Sequence, residues 1–175
     1  MRGTWYFLRF RTVRNLLWWL ALGLSPIGMV YSQPPNADQV RVVKSEARMY
    51  LLRDGEAFRS YRVAFGANPT GHKQREGDER TPEGWYVLDY KKADSAFYKA
   101  IHISYPNEAD RDRATHQGHD PGGAIMIHGQ RNGLGWLAWL TQKFNWTDGC
   151  IAVTNAEMDE IWNLVEPGTP IEIVP

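Results

Sequence analysis

The chain holds a single cysteine, Cys150, so no disulfide can form within it. It also lacks an apolar run of ordinary membrane-spanning length. Leu16 to Leu24, extended through Pro26 to Tyr31, gives about 16 largely apolar residues against the ~20 that a spanning helix needs, and Pro26 breaks it. There is no excess of either charge, with 20 basic residues against 20 acidic, and the two signs alternate along the chain. Repeats and low-complexity tracts are absent as well. Together these absences exclude a disulfide framework and a nucleic-acid binder with a basic face. The 43% hydrophobic content excludes a disordered chain.

What is present begins with a leader. Arg2, Arg9, Arg11 and Arg14 precede the apolar run without an acid among them, which reads as an export signal over residues 1–32 with cleavage before Gln33. An uncleaved N-terminal anchor, holding the chain to the outer face of the cytoplasmic membrane, is the alternative. Either way the expected location is the periplasm or cell envelope. Residues 33–39, containing Gln33-Pro34-Pro35-Asn36-Ala37-Asp38, read as a linker, and residues 40–175 as one domain. Without the leader, 143 residues carry 16 basic and 20 acidic side chains, a net charge of −4. In an exported protein a solitary cysteine is either incidental or a reagent.

The domain is expected to be mainly β. Val40 to Val43, Ala47 to Arg53 and Phe58 to Ala64 alternate as strands, with Asp54-Gly55 as a hairpin turn. A loop-rich stretch punctuated by glycine follows, from Gly66 to Gly84. Trp85 to Tyr90, Ala100 to Ser104, Ala124 to Ile127 and Ile171 to Val174 are further strand candidates. One or two short helices are expected. Asn155 to Val165 places Met158, Ile161, Trp162 and Val165 on one face, with Asn155 as N-cap candidate and Pro167-Gly168 as terminator; Leu134 to Phe144 is the second.

The residues with chemistry in them are Ile125-Met126-Ile127-His128-Gly129 and Thr147-Asp148-Gly149-Cys150; eighteen residues separate His128 from Thr147. A histidine ending one buried strand and a cysteine entering the next can meet if the strands are neighbours, which would give the thiol a base. A free thiol of pKa about 8.5 is only ~3% thiolate at pH 7, and an imidazolium neighbour that lowers it by ~2 units makes it mostly thiolate. Gly149 permits a tight turn, so the amides of Gly149 and Cys150 are candidates for holding an oxyanion. A buried structural cysteine beside a satisfied core histidine is the competing interpretation.

These residues resemble the signature of the L,D-transpeptidases, a histidine-glycine followed after a spacer by Ser/Thr-His-Gly-Cys. The resemblance extends to Arg80-Thr81-Pro82-Glu83-Gly84, Ile103-Ser104-Tyr105-Pro106-Asn107 and Gly168-Thr169-Pro170-Ile171, covering about Val40 to Pro175. It implies a β-sandwich-like catalytic domain without cofactor or metal that binds peptidoglycan stem peptides. Cys150 would attack the carbonyl between the third residue and the terminal D-alanine of a tetrapeptide. His128 would move the proton, with the Gly129 carbonyl or the Thr147 hydroxyl fixing its tautomer, and the amides of Gly149 and Cys150 would hold the oxyanion. An amine on a second stem would give a cross-link, an envelope-protein lysine an attachment, and water trimming or release. A non-catalytic peptidoglycan-binding module is a further alternative, against which the retention of His128 and Cys150 argues. Two departures stand out. Asp148 replaces the family's histidine, and Ala152 an arginine; Asp148 is expected to turn away from sulfur, capping a turn or meeting a substrate amine.

Other side chains have plainer expectations. His116 and His119 beside Asp110, Asp112 and Asp120 lack metal-site periodicity, and Arg111 to Gly123 reads as a solvated loop. Trp136, Trp139 and Trp146, with Leu134, Leu137 and Leu140, read as core, an aromatic lid over the substrate being the second option. Arg80 and Lys73 are candidates for holding a stem-peptide carboxylate.

Overall fold

Alternating burial builds the first three strands of the computed structural model, which describes Met1 and residues 36–175. The basic leader and its apolar run, on which export rests, lie outside the described residues. Strand β1 (Gln39–Val43) buries Val40 and Val42, and β2 (Arg48–Arg53) buries Met49, Leu51 and Leu52. Asp54 and Gly55 take φ of 53° and 81° between β2 and β3 (Glu56–Arg62), the two positive values that a tight two-residue hairpin demands. Then follow β4 (Gly84–Ser95), β5 (Tyr98–Ile103), α1 (Glu108–His116), β6 (Met126–His128), a 3-10 turn (Gly135–Leu137), α2 (Ala138–Thr141), β7 (Ile151–Ala152), α3 (Asn155–Leu164) and β8 (Thr169–Val174).

The strands form one eight-stranded sheet in the order β3-β2-β1-β8-β4-β5-β6-β7. Neighbours are antiparallel except β1 with β8 and β6 with β7, which are parallel. Just past β3 the chain crosses to the far edge, where Ala64 and Ala152 exchange backbone hydrogen bonds of 2.9 and 2.8 Å. The sheet thereby folds back on itself around a single core and is mainly β with a sandwich-like interior. Helix α3 contributes Met158, Ile161 and Leu164 to that core. Among the described residues no helix is long and apolar enough to cross a membrane.

Three local features differ from expectation. Helix α1 occupies the start of the stretch expected as loop, although it has no apolar face. Its stability comes from a reciprocal cap between Asn107 and Asp110, and from Asp110 itself, which is buried. That carboxylate also accepts from Tyr86 Oη at 2.9 Å and Arg113 Nη1 at 3.0 Å. Burial alone would raise its pKa, but its hydrogen bonds, that from His72 foremost, hold it below the usual carboxylate range. The second difference is the length of β4, which continues to Ser95 through polar residues because much of this part of the hairpin faces water. Third, α3 is capped by Thr154 rather than Asn155. Its Oγ1 accepts from Glu157 N at 3.2 Å while Glu157 reaches back to Thr154 N at 2.9 Å.

Thr154→Ala removes one half of this cap and should lower unfolding free energy by about 1 kcal/mol. Urea denaturation should show an earlier midpoint with an unchanged slope.

Candidate active site

The parallel pairing of β6 with β7 sets Ile127 opposite Ile151 and His128 opposite Ala152. Side chains alternate in direction along a strand, and Cys150 precedes Ala152, the partner of His128, by two residues, so His128 and Cys150 emerge on one face. Both line a cavity of about 220 Å³, with Phe97, Met126, Trp146 and Asp148 also in its wall. Phe97, at the tip of the β4–β5 hairpin, lies with its ring centroid 4.7 Å from that of His128, and Trp146 meets the imidazole edge-on at 5.7 Å. The imidazole is thus clasped by two aromatic rings and is 4% exposed. The indole Nε1 of Trp146 is buried and has no partner among the described residues.

The tautomer of His128 follows from one bond. Nδ1 lies 2.6 Å from the carbonyl oxygen of Gly129, which only accepts, so Nδ1 carries the hydrogen and Nε2 is free to take a proton. Gly129 is required sterically: a Cβ there would stand 2.7 Å from Asn155 Oδ1. That same oxygen accepts from Gln130 N at 2.8 Å and so fixes the chain just beyond the histidine.

Thr147 organises the nucleophile segment. Its hydroxyl donates to the Cys150 carbonyl at 2.7 Å and accepts from Gly149 N at 3.2 Å, while its own amide donates to Phe65 O at 3.1 Å. The Gly149 amide is therefore engaged within the turn and is not the free oxyanion donor expected from sequence. No acceptor meets the Cys150 amide among the described residues, which leaves it available. Gly149 has φ of +116°, and a Cβ there would fall 2.4 Å from the Arg80 carbonyl oxygen, so glycine is dictated by both conformation and space. Ala152, where the family resemblance leads one to expect arginine, is fully buried and bonded to Ala64 on one side and paired with His128 on the other, in a place with no room for a guanidinium.

The electrostatics also differ from expectation. Burial pushes the Cys150 thiol up; a backbone hydrogen bond from Met126 opposes this, Asp148 adds to it and Lys73 opposes it. Burial likewise pushes the His128 imidazole down, against the pull of the Gly129 bond. Both shifts favour uncharged forms, so at neutral pH Cys150 rests as a thiol, its Sγ–H directed to Ala124 O at 3.6 Å, and His128 in the same cavity as a neutral imidazole. Asp148 makes no hydrogen bond among the described residues and is exposed in the cavity wall. It caps no turn, and its charge acts on the sulfur.

Other expected contributors are placed elsewhere. Lys73 is 3% exposed and bonded to Asp78 Oδ1 at 2.8 Å and Arg75 O at 3.0 Å, so its charge is already paired and two of its three donors are engaged. Arg80 lies behind the nucleophile segment rather than in the cavity wall. Trp136 and Trp139 are 72% and 66% exposed and so are not core, and Leu134, Leu140 and Phe144 of the same segment are exposed as well. Phe97 was not legible in sequence, since an aromatic residue at a hairpin tip carries no local signal for a partner 31 positions away.

At pH 7, iodoacetamide should label Cys150 more slowly than a model thiol. Asp148→Asn should speed that labelling by up to about fivefold, the ceiling set by one solvent-screened charge a few ångströms away, with the two rates converging well above the thiol pKa. Equal rates for the two proteins at pH 7 would show that the carboxylate does not act on the sulfur.

Comparison with known proteins agrees with this geometry. The family model of the L,D-transpeptidase catalytic domain matches residues 37–173. "Putative L,D-transpeptidase YafK" of Escherichia coli K12 is 31% identical over 166 residues, covering 86% of this chain and 60% of the relative, so the match spans less than two thirds of that protein's length. The crystal structure of the helical cell shape determining protein Pgp2 from Campylobacter jejuni superposes with a TM-score of 0.57 at 25% identity, covering 77% of this chain and 46% of that one. An L,D-transpeptidase from Xylanimonas cellulosilytica shares the fold with a TM-score of 0.53 at 15% identity, covering 82% and 63%. A family match over most of the chain, a relative of 31% identity and a shared architecture establish one conclusion: the chain belongs to the L,D-transpeptidase family.

Proposed function

We propose that the protein is a cysteine-dependent acyl transferase acting on peptidoglycan stem peptides in the cell envelope. The observation that carries this reading is the His128 tautomer: the Gly129 carbonyl holds the proton on Nδ1 and leaves Nε2 basic in the cavity that contains Cys150. His128 Nε2 takes the thiol proton as sulfur adds to the carbonyl between the third residue and the terminal D-alanine of a tetrapeptide. The Cys150 amide is the donor at hand for the oxyanion. Collapse of the adduct breaks the carbon–nitrogen bond, and the imidazolium returns its proton to the departing D-alanine amine. A thioester remains on Cys150.

The neutral resting pair fits this sequence of events. Proton transfer coincides with attack instead of preceding it, so a buried ion pair need not persist between turnovers. An acceptor amine, having shed to solvent any proton with which it arrived, then attacks the thioester and passes a proton to His128 Nε2; sulfur leaves as thiolate and regains that proton from the imidazolium. Asp148, free and exposed beside the sulfur, suits an acceptor that arrives as an ammonium. Trp136 and Trp139, exposed on the segment that joins His128 to Cys150 in sequence, offer a surface on which the wall polymer can rest. The acceptor is a second stem peptide, and an envelope-protein lysine offers the same chemistry. Water in that place makes the protein a hydrolase of the same bonds. Residues 1–32 act as the export signal or anchor, 33–39 as linker and 40–175 as the catalytic domain. The name of the Campylobacter jejuni relative refers to cell shape, and wall remodelling is the role we assign here.

Incubation with purified muropeptides and mass analysis of the products tests the assignment. Cross-linked dimers and released D-alanine are expected. Trimmed stems without dimers would make the protein a hydrolase, and no product would refute catalysis on this substrate. Cys150→Ser should lower turnover by at least about 10³-fold with an unchanged circular dichroism spectrum.

A further inference from the structure

The tip of the β4–β5 hairpin sets Phe97 on the His128 imidazole, and the site itself does little to keep it there. Phe97 and Trp146 line the cavity of His128 and Cys150, and both also line a second cavity of about 310 Å³ whose wall includes Gln130, Leu134 and Thr141. A ring with two cavities against it is not fixed by packing alone. Its place is set by the backbone that presents it.

That backbone is strained. Tyr98, the residue after Phe97, has φ of +67°, a left-handed conformation that a bulky side chain keeps only where its surroundings enforce it. Asn132, on the crossover just past His128, supplies the enforcement. Its Oδ1 accepts from Tyr98 N at 2.9 Å, its Nδ2 donates to Ser95 O at 3.0 Å and its backbone N donates to Ala96 O at 3.0 Å, so one residue clamps both ends of the turn. The partners fix the orientation of the amide, because an N–H only donates and a carbonyl only accepts. Three positions earlier on the same crossover, Gly129 N donates to Lys99 O at 3.2 Å, and a Cβ on Gly129 would stand 3.0 Å from Tyr98 Cβ. The hairpin tip is thereby tied to the segment that follows His128. Asn132 itself is exposed, lines neither cavity and makes no hydrogen bond to His128 or Cys150.

We propose that Asn132 is a positioning residue for the reaction: by clamping the hairpin tip it holds Phe97 against His128 and keeps the imidazole enclosed in the cavity that it shares with Cys150. This rests on the reading of His128 as the base for Cys150. The effect is carried by the aromatic ring. Burial pushes the imidazole down, against the pull of the Gly129 bond, and Phe97 at 4.7 Å supplies part of that burial. Charge near the tip does not take its place. Cys150 and Asp148 are the titratable groups in the same cavity, Arg131 borders the neighbouring one, and Lys99 and Tyr98 at the base of the tip are both bonded to Asp159 of α3. Loosening the tip therefore exposes the imidazole and lets its pKa rise. At a given pH more of it is then protonated and unable to accept the thiol proton.

The test follows the His128 ring by nuclear magnetic resonance titration in the full chain, beside the pH profile of D-alanine release from a stem tetrapeptide. Asn132→Ala should raise the His128 midpoint by about half a pH unit or more and move the acid limb of kcat/KM upward with it. KM well above that limb should stay near the wild-type value, since Asn132 does not line the cavity. Asn132→Ser, which can make one of the two side-chain bonds, should lie between, and it carries the test if the alanine variant does not fold. Phe97→Ala should shift His128 at least as far, and adding Asn132→Ala to it should shift the ring no further. A lowered Tm with an unmoved His128 midpoint in folded Asn132 variants, or an Asn132→Ala shift that persists undiminished without Phe97, overturns the positioning role and leaves the base reading standing. Wild-type turnover whose acid limb does not follow the His128 titration overturns the base reading and the positioning role with it.

Discussion

The parallel pairing of β6 with β7 is the constraint on which the rest of the site depends. These strands are three and two residues long, too short to hold a nucleophile in place by themselves. They are held because the sheet closes on its other side, where Ala64 bonds both ways to Ala152 and Thr147 bonds to Phe65. Parallel neighbours cannot be joined by a tight turn. The crossover from Gly129 to Cys150 is the physical counterpart of the long spacer between histidine and cysteine. That crossover is itself anchored, through Gln130, whose side chain donates to Val153 O at 2.7 Å and accepts from Thr141 Oγ1 at 2.6 Å.

Burial then sets the chemistry. The same enclosure that lets Phe97 and Trp146 clasp the imidazole also disfavours charge on both members of the pair. Asp148 adds to the effect on sulfur. A site built this way holds its thiol protonated and so slow to oxidise, since thiolate character is what makes a cysteine oxidisable.

Much of the fold was legible because its signals are local. Alternation in Val40 to Val43, the Asp54-Gly55 turn and the apolar face of Asn155 to Val165 each specify their own element. Helix α1 was not, because the buried Asp110 that anchors it finds His72 and Tyr86 from distant segments. The cap of α3 is legible as Thr154 followed three residues later by Glu157, a stronger signal than the neighbouring Asn155. Within the site, His128, Gly129, Gly149 and Cys150 could be picked out by their motif. The roles of Lys73 and Asp148 could not, since the first depends on Asp78 closing over it and the second on which way a surface carboxylate faces. The tryptophans of the crossover were misjudged for a related reason: composition favours burial, whereas a short 3-10 turn and one turn of helix over the sheet edge leave Trp136 and Trp139 outside.

Covalent catalysis through Cys150 is the central claim, and intact-protein mass spectrometry after brief mixing with a stem tetrapeptide addresses it most directly. The account predicts an adduct with the mass of the tripeptide acyl group, mapped to Cys150, lost on hydroxylamine treatment, absent from Cys150→Ala, and matched by one released D-alanine. Product formation without such an adduct under rapid quenching, or an adduct on any other residue, would contradict it.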